Sequence, residues 1–253
     1  TLVAGEARER AIVFELSRQM RVTALLLDGR PVEYLQNEAL DSSGVRRRGN
    51  DHLTVVLESA LEPDSRHEIA FQAEGNVITE AGHGVYYVGA RGNWYPSRGG
   101  WFTNFDLLFR YPKKLQLVAT GRQVETSVEG EVRTARWKPE RPIRIAGFNL
   151  GDFERTQART GEYTVEVCAN KELERALQLP LLPLIEPLAP PNRRSPLRPS
   201  LGMAPQIQEL PPTPTRRIDQ VARETTEALE FFASRFGPPA LQHLTISPIP
   251  GRF

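Results

Sequence analysis

The fold is decided by residues 11–34, AIVFELSRQMRVTALLLDGRPVEY, in which apolar and polar residues alternate in short runs. Alternation with a period of two is typical of a β-strand that buries one face. Residues 11–16 and 22–27 therefore predict two strands. Asp28-Gly29 predicts the tight turn of a hairpin that returns through residues 31–34.

The same pattern continues on the C-terminal side of this stretch as far as Val167. Short strand-like runs recur about every ten residues between turn residues, which is typical of a sandwich or an open curved sheet. The predicted strands are residues 52–57, 67–72, 105–109, 115–119, 123–127, 133–137, 143–148 and 154–158. We predict that residues 1–171 form a mainly β domain, a curved β-sandwich or saddle of antiparallel strands.

Proline dominates the next segment, residues 172–215. Eleven of the 21 prolines of the chain fall between Pro180 and Pro214. Proline has no backbone N–H to donate and interrupts a helix, so we predict an extended linker here. The run Pro211–Pro214 is an alternative candidate, as a ligand for proline-recognition modules.

The last part of the chain has a different period. Apolar residues between Arg216 and Phe236 recur at helical spacing, and Gly237 with the following prolines ends the pattern. A strand is predicted from Leu244 to Pro250. We expect residues 216–253 to be the first helix and strand of a truncated α/β domain, and the chain to be a piece of a longer protein.

Composition excludes several classes of partner. The 253 residues include 32 Lys and Arg against 31 Asp and Glu, so no net field attracts nucleic acid or an anionic membrane. No apolar run approaches the roughly 20 residues that a membrane span needs. The basic run Arg46–Arg48 is followed by turn residues and is interpreted as a solvated loop.

The residue types that commonly catalyse reactions or bind metals form no recognised motif in this sequence. Cys168 is the one cysteine, which excludes an intrachain disulfide and a zinc site made of cysteines. The four histidines, at positions 52, 67, 83 and 243, have no metal-binding spacing, and no H-E-x-x-H occurs. No G-x-S-x-G, P-loop or dinucleotide motif is present. The sequence therefore assigns no catalytic, cofactor-binding or metal-binding residue within this chain.

Two glycine-rich or aromatic segments remain as candidates. Gly82-His83-Gly84 permits close approach of a ligand or a neighbouring segment to the backbone, although a turn before the strand at residues 85–88 is the favoured interpretation. Aromatic residues cluster just beyond it, where they serve either core packing and contact with another domain or the stacking of sugars or bases. The cluster comprises Tyr86, Tyr87, Trp94, Tyr95, Trp101, Phe102 and Phe105.

Several short motifs, taken in order, resemble the zinc aminopeptidases of the aminopeptidase N and leukotriene hydrolase type. Each motif is degenerate, and their order along nearly the whole chain carries the resemblance. The motifs are residues 84–87 (GVYY), 93–96 (NWYP), 105–112 (FDLLFRYP), 117–121 (LVATG), 145–153 (IAGFNLGDF), 228–237 (ALEFFASRFG) and 244–248 (LTISP).

The resemblance implies that this chain is the N-terminal β-domain, the linker and the start of a thermolysin-like peptidase domain. In that family two His and one Glu hold Zn²⁺, and a helix Glu activates the metal-bound water. Those ligands are expected beyond Phe253, so zinc is implied for the longer parent protein and not for this chain. The implied partners are the chain's own C-terminal peptidase domain and a peptide substrate.

One departure from the family leaves alternatives open. The family's N-terminal domain commonly supplies a Gln or Glu for the substrate amine, whereas residues 88–93 here read VGARGN. A catalytically dead, aminopeptidase-like scaffold is therefore a second hypothesis. A third is an independent β-sandwich module that binds carbohydrate through Trp94, Tyr95 and Trp101.

Overall fold

The computed structural model describes residues 1–5, 9–37, 49–88, 93–172 and 214–249. These residues form a mainly β fold with one long helix, which confirms the predicted fold class. The strands are β1 (Leu2–Val3), β2 (Ala11–Ser17), β3 (Met20–Leu27), β4 (Arg30–Pro31), β5 (Glu33–Asn37), β6 (Asn50–Val56), β7 (Arg66–His67), β8 (Ile69–Gly75), β9 (Ile78–Gly82), β10 (Val85–Val88), β11 (Leu107–Pro112), β12 (Gln116–Ala119), β13 (Arg122–Glu129), β14 (Val132–Lys138), β15 (Phe148–Gly151), β16 (Phe153–Thr160), β17 (Tyr163–Asn170) and β18 (His243–Ile246). The helix, α1, spans Pro214–Phe236.

Some predicted features lie outside the described residues. These are the basic run Arg46–Arg48, the proline-rich linker 172–215 apart from its ends, and the proline run 211–214 apart from Pro214, which begins α1. Within the described ranges, no helix has the length and apolarity that a membrane span requires.

Two three-stranded sheets pack face to face in the first part of the chain. Their strand orders are β2-β6-β5 and β4-β3-β8. The alternating pattern of residues 11–16 places Ile12, Phe14 and Leu16 in the core between the sheets. Phe14 meets Phe71 edge to face, with ring centroids 5.1 Å apart. Burying each such side chain contributes about 1.5–3 kcal/mol relative to leaving it exposed.

The predicted hairpin turn at Asp28-Gly29 is confirmed. Both residues have positive φ, 49° and 78°, which is the conformation of a type I′ turn. The turn joins β3 to β4, and Leu27 pairs with Arg30 across it.

The second part of the chain is a stack of three sheets covered by α1. The sheets are β11-β14-β13, β12-β15-β10-β9 and β16-β17-β18. β12 shows how the layers share residues. Leu117 packs in one core with Trp137, whereas Val118, on the other face of the strand, packs with Phe153 and Cys168.

β17 is the central strand of the last sheet. Residues 165–170 are all buried because alternate side chains face the neighbouring sheet and α1. Val165 and Val167 pack against Ile218 and Ala222 of the helix. β18 pairs with β17 in parallel, so β17, α1 and β18 form a βαβ unit. This sheet takes strands from both sides of residue 171, and the domain division at that residue stays a prediction.

One predicted strand is largely wrong. Residues 143–148 contribute only the bridge between Ile143 and Thr103, and β15 begins at Phe148. The backbone of Ala146 hydrogen-bonds instead to side chains, because Trp94 Nε1 donates to its carbonyl and its N–H donates to the Tyr95 hydroxyl. A strand ladder cannot use groups that are already bonded. The predicted strand at 244–250 is confirmed over its first residues.

Candidate functional site

Trp94 and Tyr95 form the centre of an inward-facing aromatic cluster. The Trp94 ring lies 5.1 Å from that of Tyr95 and 5.4 Å from that of Phe148, in both cases edge to face. Tyr95 meets Phe105 at 5.5 Å. Their polar atoms bond to the backbone of Ala146. These two residues link neighbouring layers of the fold through ring contacts and backbone hydrogen bonds.

Trp101 stands apart from this cluster. Its side chain is 79% exposed, and the neighbouring Phe102 is covered on one face by the Arg144 guanidinium at 4.7 Å. The structure therefore does not assemble Trp94, Tyr95 and Trp101 into one stacking platform.

Gly82-His83-Gly84 is the turn of the β9–β10 hairpin. All three residues have positive φ, and the His83 side chain is exposed. Among the residues that the structure describes, no three His, Cys, Asp or Glu side chains come together as a metal site. Cys168 is buried, and burial raises the pKa of its thiol to about 11. Since a thiolate is the reactive form, this buried environment disfavours nucleophilic chemistry at Cys168.

A cavity of about 400 Å³ lies between the four-stranded sheet and β18. Its apolar wall includes Val118, Ile143, Phe148 and Leu241. Its polar wall includes hydroxyl, amide and imidazole groups from both sides of residue 171. Sequence analysis missed this cavity because its walls come from segments that lie far apart along the chain.

The polar groups at the mouth of the cavity are bonded to one another. Arg122 Nε lies 2.9 Å from Glu140 Oε1, and the other oxygen of Glu140 accepts the N–H of Gln242 at 3.1 Å. Deeper in, Asn149 Nδ2 donates to Ser247 Oγ at 3.0 Å, which ties β15 to the segment after β18. These bonds make the mouth a fixed junction between the two parts of the chain.

His243 is a half-buried titratable group that lines the cavity. Its Nε2 atom lies 3.0 Å from the Thr245 hydroxyl and 4.0 Å from the Glu166 carboxylate. Its Nδ1 atom is buried without a partner among the described residues. Burial lowers the pKa of His243, an effect that the Glu166 charge opposes. The His243 imidazole is thus one of several polar groups that line the cavity.

Arg155 holds Glu166 in place behind His243. Arg155 Nη1 donates to Glu166 Oε1 at 3.3 Å, and its Nη2 donates to the Leu117 carbonyl at 2.8 Å. The network thereby fixes β12, β16 and β17 around the cavity. Among the described residues, no cluster of side chains able to hold a metal ion lines the cavity.

A second polar cluster joins three short segments near the N-terminus. Ser65 Oγ lies 2.7 Å from His67 Nε2, and His67 Nδ1 lies 2.7 Å from Asp28 Oδ2. The distances are those of a Ser-His-Asp triad. The Ser65 hydroxyl, however, donates to the Glu62 carbonyl. Its proton is thus directed away from the base, and the cluster links the loop of Ser65 to the β3–β4 turn. No sequence motif predicts this cluster.

No protein-family model matches the chain, and no curated protein matches it. Solved structures do match it. An M1 zinc metallopeptidase from Deinococcus radiodurans is similar over 97% of this chain and 50% of that chain, at 16% identity and a TM-score of 0.61. The chain has the fold of part of an M1 metallopeptidase.

Two further M1-fold structures support the likeness. One is a mutant of the Deinococcus enzyme bound to a Tyr-Ser-Ala substrate. The match covers 96% of this chain and 50% of the mutant's chain, at 16% identity and a TM-score of 0.60. Legionella pneumophila aminopeptidase A, in complex with aspartic acid, matches 95% of this chain and 25% of its own at 11% identity, with a TM-score of 0.62. The chain spans about half the length of the Deinococcus enzyme.

The similar M1 structures are zinc metallopeptidases, so the described residues were compared with what a zinc site requires. The ranges that the structure describes contain no group of side chains able to hold a metal ion. Residues 89–92 belong to the segment where the resemblance implies a Gln or Glu for the substrate amine, and they lie outside the described residues. The described residues therefore do not fit a zinc centre.

Proposed function

We propose that this chain is the non-catalytic N-terminal part of a zinc aminopeptidase-like protein of the aminopeptidase N or leukotriene hydrolase type. The observation that carries the proposal is the M1 fold over 97% of the chain, which matches 50% of the Deinococcus enzyme. The ordered motifs from Gly84 to Pro248 support the finer assignment.

In this proposal residues 1–171 are the β-domain, residues 172–215 the linker, and residues 216–253 the start of the peptidase domain. The βαβ unit of β17, α1 and β18 supports a start of an α/β domain at α1. The peptidase domain of the same protein is the partner, and it supplies the zinc ligands.

The work of the chain is to shape one wall of a cleft that admits the N-terminus of a peptide. The cavity between the β-domain and β18 supports this role, because Val88 at its edge directly precedes the segment where the family places its amine-binding residue. The apolar wall accommodates a side chain, and the bonded mouth is pre-formed.

A catalytically dead scaffold is the second candidate. The sequence VGARGN at residues 88–93 favours it, because it lacks the Gln or Glu of the active family. The carbohydrate-binding alternative is less favoured, because the rings of Trp94 and Tyr95 pack against other aromatic rings of the fold.

The test uses the protein expressed with its native continuation. We expect about one zinc per chain by elemental analysis and release of the N-terminal residue from short peptides. A protein that binds no zinc and cleaves no peptide after zinc is added would be the scaffold. In an active protein, Ile143→Trp fills the cavity and should raise KM for peptides. Ile145→Trp is the control, since Ile145 is 59% exposed and does not line the cavity.

A further inference from the structure

The two permanent charges that line the cavity are already paired with each other. Among the described residues that line it, Arg122, Glu140 and His243 carry titratable groups. Arg122 Nε lies 2.9 Å from Glu140 Oε1, and the other oxygen of Glu140 accepts the N–H of Gln242. Both charges of this ion pair are therefore compensated within the chain.

The third titratable group, His243, is uncharged above neutral pH. Burial lowers the pKa of its imidazole below the ordinary value of 6.5, and the charge of Arg122 acts in the same direction. The carboxylates of Glu166 and Glu140 oppose this shift. The described lining residues thus carry no net charge that could bind a charged ligand group.

The other polar groups of the cavity are neutral and are hydrogen-bonded within the wall. Asn149 Nδ2 donates to Ser247 Oγ at 3.0 Å. The Thr120 hydroxyl donates to the Gly147 carbonyl and accepts the N–H of the same residue. Aliphatic and aromatic side chains make up much of the remaining wall. The volume of about 400 Å³ lies within the range of about 300–1,000 Å³ that is typical of small-molecule sites.

A charged ligand group would enter this cavity at a cost that a neutral group avoids. An ion that leaves water is stable only where it is paired and hydrogen-bonded. A lysine side chain pairs with Glu140 only by displacing Arg122, and a glutamate side chain pairs with Arg122 only by displacing Glu140. Either exchange leaves a charge of the ligand's own sign unpaired close to the ligand. The cavity therefore favours uncharged groups.

We propose that the cavity makes the protein selective for peptides whose N-terminal residue has an uncharged side chain, with Leu241 as a residue that determines this selectivity. The inference rests on the proposed function, because it takes the cavity to receive that side chain. Leu241 lines the cavity and is 45% exposed. A charge introduced at this position therefore changes the charge balance of the wall without being forced into the core.

Isosteric substrates test the selectivity in the protein with its native continuation. An N-terminal norleucine has the four-carbon chain of lysine without its ammonium group, and glutamine has the shape of glutamate without its charge. We expect kcat/KM at about pH 8 to be at least about 30-fold higher for the norleucine peptide than for the lysine peptide. Glutamine should exceed glutamate in the same way. Equal values for norleucine and lysine would overturn the proposal.

A charge placed in the wall should change the preference in a predictable direction. Leu241→Glu should raise kcat/KM for lysine relative to norleucine at least about tenfold, and Leu241→Lys should do the same for glutamate relative to glutamine. Leu244→Glu is the matched control, because Leu244 is 40% exposed and does not line the cavity. Its ratios should equal those of the unmodified protein. If Leu241→Glu leaves the lysine ratio unchanged, the selectivity arises elsewhere and the proposal is wrong.

Two further measurements keep the possible failures apart. Circular dichroism shows whether each variant folds, and Ile143→Glu, at a second position of the wall, replaces Leu241→Glu if that variant does not fold. Zinc content and peptide cleavage are measured on the same samples. An active zinc enzyme that cleaves the norleucine and lysine peptides equally would refute this inference alone. A zinc-free protein that cleaves no peptide would refute the proposed function and this inference with it.

Discussion

Arg155 Nη1 lies 3.3 Å from Glu166 Oε1, and this ion pair joins two strands at the junction of two sheets. The Glu166 residue is only 8% exposed. A charge buried to this extent is stable only when it is paired and hydrogen-bonded. Arg155 therefore positions the carboxylate that faces His243 in the cavity wall.

Removal of Arg155 should destabilise the chain strongly. Arg155→Ala removes the hydrogen-bonding partner of the buried Glu166 carboxylate and is expected to lower the free energy of unfolding by about 3 kcal/mol in urea denaturation. Arg159→Ala is the control, because Arg159 lies exposed on the same strand, and it should change stability by less than about 0.5 kcal/mol. Similar losses of unfolding free energy in the two variants would show that the Arg155–Glu166 ion pair stabilises the fold no more than an exposed arginine does.

Gly121 is required by the backbone at the edge of the cavity. Its φ is +95°, and an added Cβ would lie 2.4 Å from the carbonyl carbon of Lys138. Gly121→Ala should therefore cost about 3 kcal/mol in unfolding free energy, from backbone strain together with the clash. Gly130→Ala separates the two effects. Gly130 also has positive φ but open space around it, and about 1 kcal/mol is expected there.

The Asp28 carboxylate should make stability fall in acid. It accepts hydrogen bonds from His67 and from the Glu68 N–H, and these hold its pKa below the ordinary value of 3.8. Stability from a lowered carboxylate pKa is fully present above the ordinary value and is lost as the pH falls through the folded-state pKa. Asp28→Asn should reduce the loss of stability measured between pH 5 and pH 2.

The control for this measurement is Asp64→Asn. Asp64 is exposed and has a positive φ of 60°, which asparagine also tolerates. The acid dependence of this variant should follow that of the unmodified chain. If Asp28→Asn also follows it, the contact with His67 contributes nothing to the pH dependence.

The Cys168 thiol should be inert in the folded chain. Burial raises its pKa to about 11, so almost no thiolate exists at pH 8. A disulfide reagent at pH 8 should detect no thiol until urea is added, and then one per chain. Rapid reaction without urea would show that the cores around β17 open readily.

The sequence predicts local features of this fold well. Alternation correctly marks strands such as residues 154–158 within β16, and the helical period marks α1. The turn at Asp28-Gly29 follows from its residue types. These features depend on neighbours a few positions apart, which is the range over which a pattern carries information.

The candidate site depends on contacts that no pattern records. The cavity needs β18 beside β17, and its walls come from segments separated by much of the chain. The failed strand at residues 143–148 has the same cause, because Trp94 and Tyr95 are distant in sequence from Ala146, whose backbone they bind. Distant side chains thus override a local preference for a strand.

The parallel pairing of β17 with β18 also bears on the order in which the chain folds. β16 and β17 are adjacent hairpin strands that can form early, whereas Leu244 must pair with Val165, which lies far from it in the sequence. Substitutions in β18 should therefore mainly speed unfolding, and substitutions in the β16–β17 hairpin should slow refolding. During synthesis β16 and β17 emerge before β18, and we expect them to provide the edge on which β18 is added.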